Sequence, residues 1–218
     1  MFTTEKFPMR NLVSGSLCLL VLLTAACSKK LYPEIQGQEI ILSADEFDKP
    51  VPADTTLIYK TGVDAYGRYL SGLLIIKSYN SDDYRLVFTT EMGMKLFDFE
   101  FKNNKFHVHY CFDKLNKKPV IRLLEMDFSM MLCRNTYGAK ARIVDTKSYL
   151  LEQAQTKELW KIVTGADSRS AEGIHSLNPE GKPKCFIKYV YREGQCPDMI
   201  YIEHENLNLK MQLELLKR

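Results

Sequence analysis

His107, His109 and Cys111 stand at alternate positions in Lys105-Phe106-His107-Val108-His109-Tyr110-Cys111. Alternate side chains of an extended chain share a face, so this spacing can supply metal ligands. The competing reading is the wetter face of a strand near a sheet edge, since zinc sites usually gather further clustered ligands. His175 and His204 are remote in sequence; adding His204 would make a set worth testing by metal analysis. No metal is assigned on this basis. Asp98 and Glu100 are a carboxylate pair on one strand face. Acid–base hydrolysis of glycosides needs two carboxylates at a defined separation across a cleft, whereas charges on an outer strand face are common. The chain shows no nucleophile elbow, phosphate loop, metalloprotease helix or dinucleotide fingerprint. It is read as non-enzymatic, with no catalytic residues and no cofactor.

The other residue with chemistry in prospect is Cys27. Lys6 and Arg10 precede an apolar run containing Leu17, Leu19, Leu20, Val21, Leu22 and Leu23, which ends in Thr24-Ala25-Ala26-Cys27. These are the parts of a secretory signal, in a run too short for a transmembrane helix, which needs about 20 apolar residues. Cys27 after small residues resembles the lipobox of bacterial lipoproteins, in which that Cys is acylated and becomes the new N-terminus; Thr24 stands where an aliphatic residue is usual. The alternatives are an ordinary signal cleaved near Ala26 or an uncleaved anchor, and translation starts at Met1 or at Met9. Ser28-Lys29-Lys30 brings no Asp behind the anchor. The expected place is the outer membrane, facing the periplasm, with the mature protein tethered and not spanning.

The chain carries 30 basic and 27 acidic residues, and removing residues 1–26 takes away Lys6, Arg10 and Glu5. The remainder is close to neutral, with its charges interspersed. That excludes the clustered Lys and Arg of a nucleic-acid groove. Cys111, Cys133, Cys185 and Cys196 permit three pairings in an oxidising compartment, and sequence does not choose among them.

What must position such residues is mostly β. Residues 27–56, with Pro33, Pro50, Pro52 and the short run Ile40-Ile41-Leu42, read as a tether and edge segment. Residues 57–218 read as one domain. Strands are expected over 57–64, 68–78, 84–90 and 95–102, and again from Phe106 to Phe112 beyond a turn at Asn103-Asn104. Phe97, Phe99 and Phe101 share one face, and Phe106, Val108, Tyr110 and Phe112 continue it, with His107, His109 and Cys111 opposite. Ile121, Leu124, Phe128 and Met131 recur at helical spacing, which predicts a helix over 117–132 with Asn116 as N-cap and Pro119 in the first turn. Strands resume over 139–145. Residues 148–165 fit a helix or a hairpin turning near Thr156-Lys157, and the β surroundings favour the hairpin. Residues 166–184 read as loop-rich, followed by strands over 185–192, 199–204 and 207–216.

The expected class is mainly β (α+β): a curled antiparallel sheet of about nine to eleven strands, an open half-barrel with a central helix in its mouth, since large sheets tend to curl. The order of tether, long meander, central helix and further strands resembles the LolA/LolB-type lipoprotein carriers and receptors. The resemblance is carried by Leu70-Ser71-Gly72-Leu73-Leu74-Ile75, by Tyr84-Arg85-Leu86-Val87-Phe88 leading to Glu91-Met92-Gly93-Met94-Lys95-Leu96, and by Pro197-Asp198-Met199-Ile200-Tyr201-Ile202. It implies a concave apolar face able to hold acyl chains. Glu91-Met92-Gly93-Met94 is the nearest candidate for a receptor's protruding apolar loop.

Phe97, Phe99, Phe101, Phe106, Val108, Tyr110, Phe112, Leu124, Phe128 and Met131 have two readings, a packed core beneath the helix or the lining of a ligand cavity. Met92, Met94, Met126, Met130 and Met131 would suit an adaptable lining. The expected protein is a lipid-anchored monomer whose ligand is an acyl chain or a lipoprotein, with lipoprotein or lipid trafficking as the expected task. The alternative is a non-catalytic envelope scaffold with a filled core.

Overall fold

The computed structural model describes residues 37–153, 158–165, 168–178, 180–192 and 194–217, so the signal segment and Cys27 lie outside the described residues. Among the described residues, thirteen strands form one antiparallel sheet. They are β1 (Glu39–Ile41), β2 (Thr56–Ala65), β3 (Arg68–Ser78), β4 (Tyr84–Thr90), β5 (Lys95–Lys102), β6 (Lys105–Cys111), β7 (Lys140–Asp145), β8 (Ser148–Glu152), β9 (Leu159–Thr164), β10 (Ala171–Leu177), β11 (Pro183–Val190), β12 (Met199–His204) and β13 (Leu209–Lys217). The single helix among the described residues, α1 (Lys118–Met131), falls between β6 and β7. The spatial order is β1-β7-β8-β9-β10-β11-β12-β13-β2-β3-β4-β5-β6, with both ends unjoined.

The sheet curls. Phe101 on β5 and Trp160 on β9 line the same cavity, although their strands stand eight places apart in the sheet. A flat sheet would separate them by about 38 Å at the usual strand spacing. This is the open half-barrel expected, with two or more strands beyond the expected count. One of them is β10, in the stretch read as loop-rich: Gly173 and Ser176 dilute its apolar pattern, yet Ile174 is fully buried. The segment 148–165 is a strand pair, β8 and β9; its expected turn near Thr156-Lys157 lies outside the described residues.

Local chemistry fixes the hairpins. Asn103 and Asn104, at φ 50° and 59°, join β5 to β6, and Tyr66 with Gly67, at 53° and 75°, join β2 to β3. Two adjacent left-handed residues make the tight turn whose twist matches that of the strands. In β3, a Cβ on Gly72 would collide with the Thr89 carbonyl oxygen of β4, so the bare backbone is required there.

One bulge alters the faces of β6. Asp98 lies opposite Tyr110 and Phe99 opposite Val108, leaving His109 as an extra residue. Cys111 is therefore turned inward opposite Phe97, and Tyr110 is turned to the outer face with Asp98. The expectation that His107, His109 and Cys111 share one face is corrected: both histidines are exposed on the outer side and Cys111 is buried. A strict period of two cannot register an inserted residue.

The helix starts at Lys118, with Lys117 in the N-cap position and no side-chain cap, and Pro119 in its first turn. Its C-terminus closes with Cys133 N–H donating to Met130 O and Arg134 N–H to Ser129 O, while Cys133 sits at φ 48°. This is a Schellman closure with cysteine where glycine is usual. Tyr189 Oη on β11 donates to Met131 O at 2.8 Å, tying this end to the sheet.

Beyond Gly37 the segment read as tether is packed in part, since Leu42, Phe47 and Val51 are at most 1% exposed. Nearby, Lys49 Nζ donates to Asp82 Oδ1 at 2.9 Å and to Ser81 O at 2.8 Å. Asn135 N–H donates to the same Asp82 Oδ1, and Arg134 Nε to Asp82 O at 2.8 Å. The β3–β4 loop thus fastens both the incoming segment and the chain leaving α1. Cys111, Cys133, Cys185 and Cys196 are all buried and free, so none of the three pairings is present.

Candidate functional site

The aromatic stripe and the cavity are separate features. Phe97 and Phe99 stack at 4.4 Å with their planes 9° apart, Phe99 meets Phe106 edge-on at 5.1 Å, and Phe97 packs against Phe128 of α1. Phe97, Phe99, Phe101, Phe128 and Met131 are buried, and Phe106, Phe112 and Leu124 pack partly buried against them. Val108 and Tyr110 are exposed on the edge strand β6. Of the ten residues proposed to line a ligand cavity, Phe101 alone borders the space under the helix.

That space, of about 760 Å³, lies between α1 and the face of β9–β12. Leu123, Met126 and Met130 of α1, Trp160 of β9 and Leu207 supply its apolar wall. Its volume falls among sites for small ligands, roughly 300–1,000 Å³. A second depression, of about 770 Å³, is bordered by His175 and Phe186, which stack at 4.4 Å. Its further neighbours Glu172 and Lys188 make it more polar.

The floor of the first cavity follows from strand register. Trp160 pairs with Ser176, Ser176 with Cys185, and Cys185 with His204, so these four side chains form a row on one face of β9, β10, β11 and β12. Above the row, α1 presents Asp127. His204 Nε2 lies 3.0 Å from Asp127 Oδ2, with the two side chains 5% and 4% exposed, and Cys185 Sγ lies 3.9 Å from the same Nε2. Beside them Glu158 accepts from Ser176 Oγ at 2.9 Å and is paired with Lys184.

Burial pushes the Asp127 carboxyl above the ordinary carboxylate range, and the His204 hydrogen bond only partly offsets it. Burial likewise pushes the Cys185 thiol up, and the carboxylates of Asp127 and Glu158 add to the effect. Three donor nitrogens of residues that line this cavity, Arg134 Nη2, Gln153 Nε2 and Trp160 Nε1, are buried with no hydrogen-bond partner among the described residues. Donors in such positions suit a ligand bearing oxygen acceptors, since an unmet buried donor is costly.

The carboxylate pair read from sequence is otherwise engaged. Arg85 grips Asp98 through two bonds at 2.9 and 3.0 Å, Lys95 adds a third at 3.3 Å, and Glu100 pairs with His109 at 2.9 Å. The buried cluster was missed because its members are 58, 77 and 19 residues apart in pairs. One signal was legible: Asp127 follows Leu124 by three and precedes Met131 by four, placing a carboxylate within the apolar stripe of the helix.

Comparison with solved structures gives this architecture a class. A LolA superfamily protein from Nitrosomonas europaea superposes with a TM-score of 0.55 at 8% identity, over 80% of this chain and 88% of that one. A DUF1329 family protein from Desulfovibrio piger superposes with a TM-score of 0.44 at 8% identity, over 75% and 85%. No sequence-family model matches the chain. No curated protein matches it either. The fold is LolA-like.

Proposed function

We propose that this chain is a lipid-anchored protein of the bacterial envelope that binds a hydrophobic ligand, an acyl chain in the first instance, between α1 and the β9–β12 face. The observation that carries the reading is the cavity of about 760 Å³ with its Leu, Met, Phe and Trp wall. The unmet donors at Arg134, Gln153 and Trp160 support an ester or carboxylate end on that chain. Ligand contact falls to Phe101, with Leu123, Met126, Met130 and Leu207, while Phe97, Phe99, Phe128 and Met131 back the wall. Cys27 carries the anchor, more than one acyl chain being needed for lasting attachment. The working place is the outer membrane on its periplasmic side, where lipid or lipoprotein trafficking is the task and catalysis is not. Met92, 98% exposed at the tip of the β4–β5 turn, gives the nearest counterpart of a protruding apolar loop.

The test is displacement of a fluorescent fatty acid from the delipidated mature protein, with mass spectrometry of lipid carried through purification. One ligand per chain is expected, and absence of both signals sinks the reading. Labelled palmitate should enter the wild-type chain and not Cys27→Ser. A scaffold role is favoured by one observation, the free edge β6 with Val108 and Tyr110 exposed, which could accept a strand from a partner.

A further inference from the structure

We propose that Asp127, Cys185 and His204 form a mononuclear Zn²⁺ site whose fourth coordination position opens into the cavity beneath α1. Their donor atoms, a carboxylate oxygen, a thiol sulfur and an imidazole nitrogen, all lie within 4.8 Å of one another. Zinc bonds of roughly 2.0–2.3 Å place tetrahedral donors about 3.4–3.6 Å apart. The separations from His204 Nε2, 3.0 Å to Asp127 Oδ2 and 3.9 Å to Cys185 Sγ, bracket that spacing. Small side-chain adjustments seat the ion.

The geometry also separates this reading from a nucleophile relay. In a relay the carboxylate meets one ring nitrogen of the histidine and the nucleophile meets the other. Here Asp127 and Cys185 both approach Nε2. Convergence on one lone pair is what a central cation organises.

The scaffold is rigid at each ligand. Cys185 and His204 are cross-strand partners, so the β11–β12 ladder fixes their spacing, and Asp127 is held against His204 by α1. A mixed sulfur, nitrogen and oxygen set suits zinc, whereas Mg²⁺ and Ca²⁺ take oxygen ligands. Three protein ligands leave one position for water or an oxygen of a bound molecule. Binding replaces the thiol S–H by an S–Zn bond and releases that proton to solvent. Neither the anchor nor the acyl-chain reading is needed for any of this.

The untagged full chain, stripped with chelator, is titrated with Zn²⁺ alone and then with Co²⁺. One equivalent of zinc is expected, with a thiolate-to-cobalt charge-transfer band in the Co²⁺ form. Cys185→Ser should abolish the band, and each of Cys185→Ser, Asp127→Asn and His204→Ala should weaken zinc binding beyond the roughly 10–100-fold that losing a supporting contact costs. Cys196→Ser should leave both unchanged. Substoichiometric zinc, or a cobalt spectrum without the thiolate band, overturns the site. Because the band is read on the wild-type chain, a variant that fails to fold does not decide the matter. A positive metal result with no fatty-acid uptake would separate this site from the lipid reading.

Discussion

The two faces that meet α1 are built on opposite principles. Along β4–β6 the helix rests on stacked phenylalanines with polar groups kept to the outer side, whereas along β9–β12 it spans an open space floored by Ser176, Cys185 and His204. The first arrangement stabilises through contact area, each buried aromatic contributing on the order of 2 kcal/mol. The second gives up contact area and keeps buried titratable groups, a departure from core packing of the kind found at functional sites. Under the proposed function, stability belongs to one half of the mouth and binding to the other.

The largest test of that division is Phe99→Ala. Phe99 is fully buried, stacked on Phe97 and edge-on to Phe106, so truncation opens a void in a filled region. A loss of about 3–5 kcal/mol is expected in denaturant unfolding, as for other core Phe truncations. A loss below about 1 kcal/mol would mean that the packed half is itself loose.

Next comes Asp82→Ala, at the loop that fastens both sides. It leaves the Lys49 ammonium, 4% exposed, without its carboxylate and frees the Asn135 N–H. Removing one partner of a buried pair costs about 3–5 kcal/mol, and the partial exposure of Asp82 places this change near the lower end. Urea unfolding of Asp82→Ala beside Asp82→Asn checks it, the amide keeping the acceptor for Asn135.

Met126→Trp should do the reverse of Phe99→Ala. Met126 is half-buried on the cavity wall, so a larger side chain grows into space already there. Stability should change by less than about 1 kcal/mol, while fatty-acid affinity falls about tenfold or more, equivalent to roughly 1.4 kcal/mol. Unchanged affinity would move the ligand elsewhere, the depression beside His175 and Phe186 being the next candidate.

The same division explains what sequence could show. The packed half is written in local periodicity: Phe97, Phe99 and Phe101 alternate, Asn103-Asn104 turns the chain, and Ile121, Leu124, Phe128 and Met131 mark the helix. Local rules reach that far. They failed at His109, where one inserted residue reverses the faces of Tyr110 and Cys111, and at Cys133, which holds a left-handed conformation where glycine would have signalled the stop. The cavity half depends on register among β9–β12 and on where α1 crosses them. Ser176 sat in a stretch whose glycine and serines read as loop, and nothing local to Cys185 announces that His204 is its cross-strand partner. Three-dimensional pairing makes that site, and periodicity carries no record of it.

The smallest expected effect is on the outer face, where polar groups neither pack the core nor border the cavity. Arg85, 41% exposed, makes two bonds to Asp98, 6% exposed, and those bonds, against the opposing pull of burial, hold the Asp98 carboxyl below the ordinary carboxylate range; Lys95 adds to the effect. A carboxyl depressed in the folded state binds fewer protons there than in the unfolded chain. Its contribution is therefore present above the unfolded pKa, about 3.9, and is lost as pH falls through the folded value. Arg85→Ala should cost about 0.5–1 kcal/mol near neutrality, the upper range for exposed pairs, because Lys95 remains. As pH falls below about 4 the gap between the wild type and the variant should narrow, and it should close below the depressed folded value, since protonated Asp98 gains little from Arg85. Urea midpoints measured from neutral to acid pH check this. A gap that persists undiminished in acid would mean that Arg85 acts through packing and not through its charge.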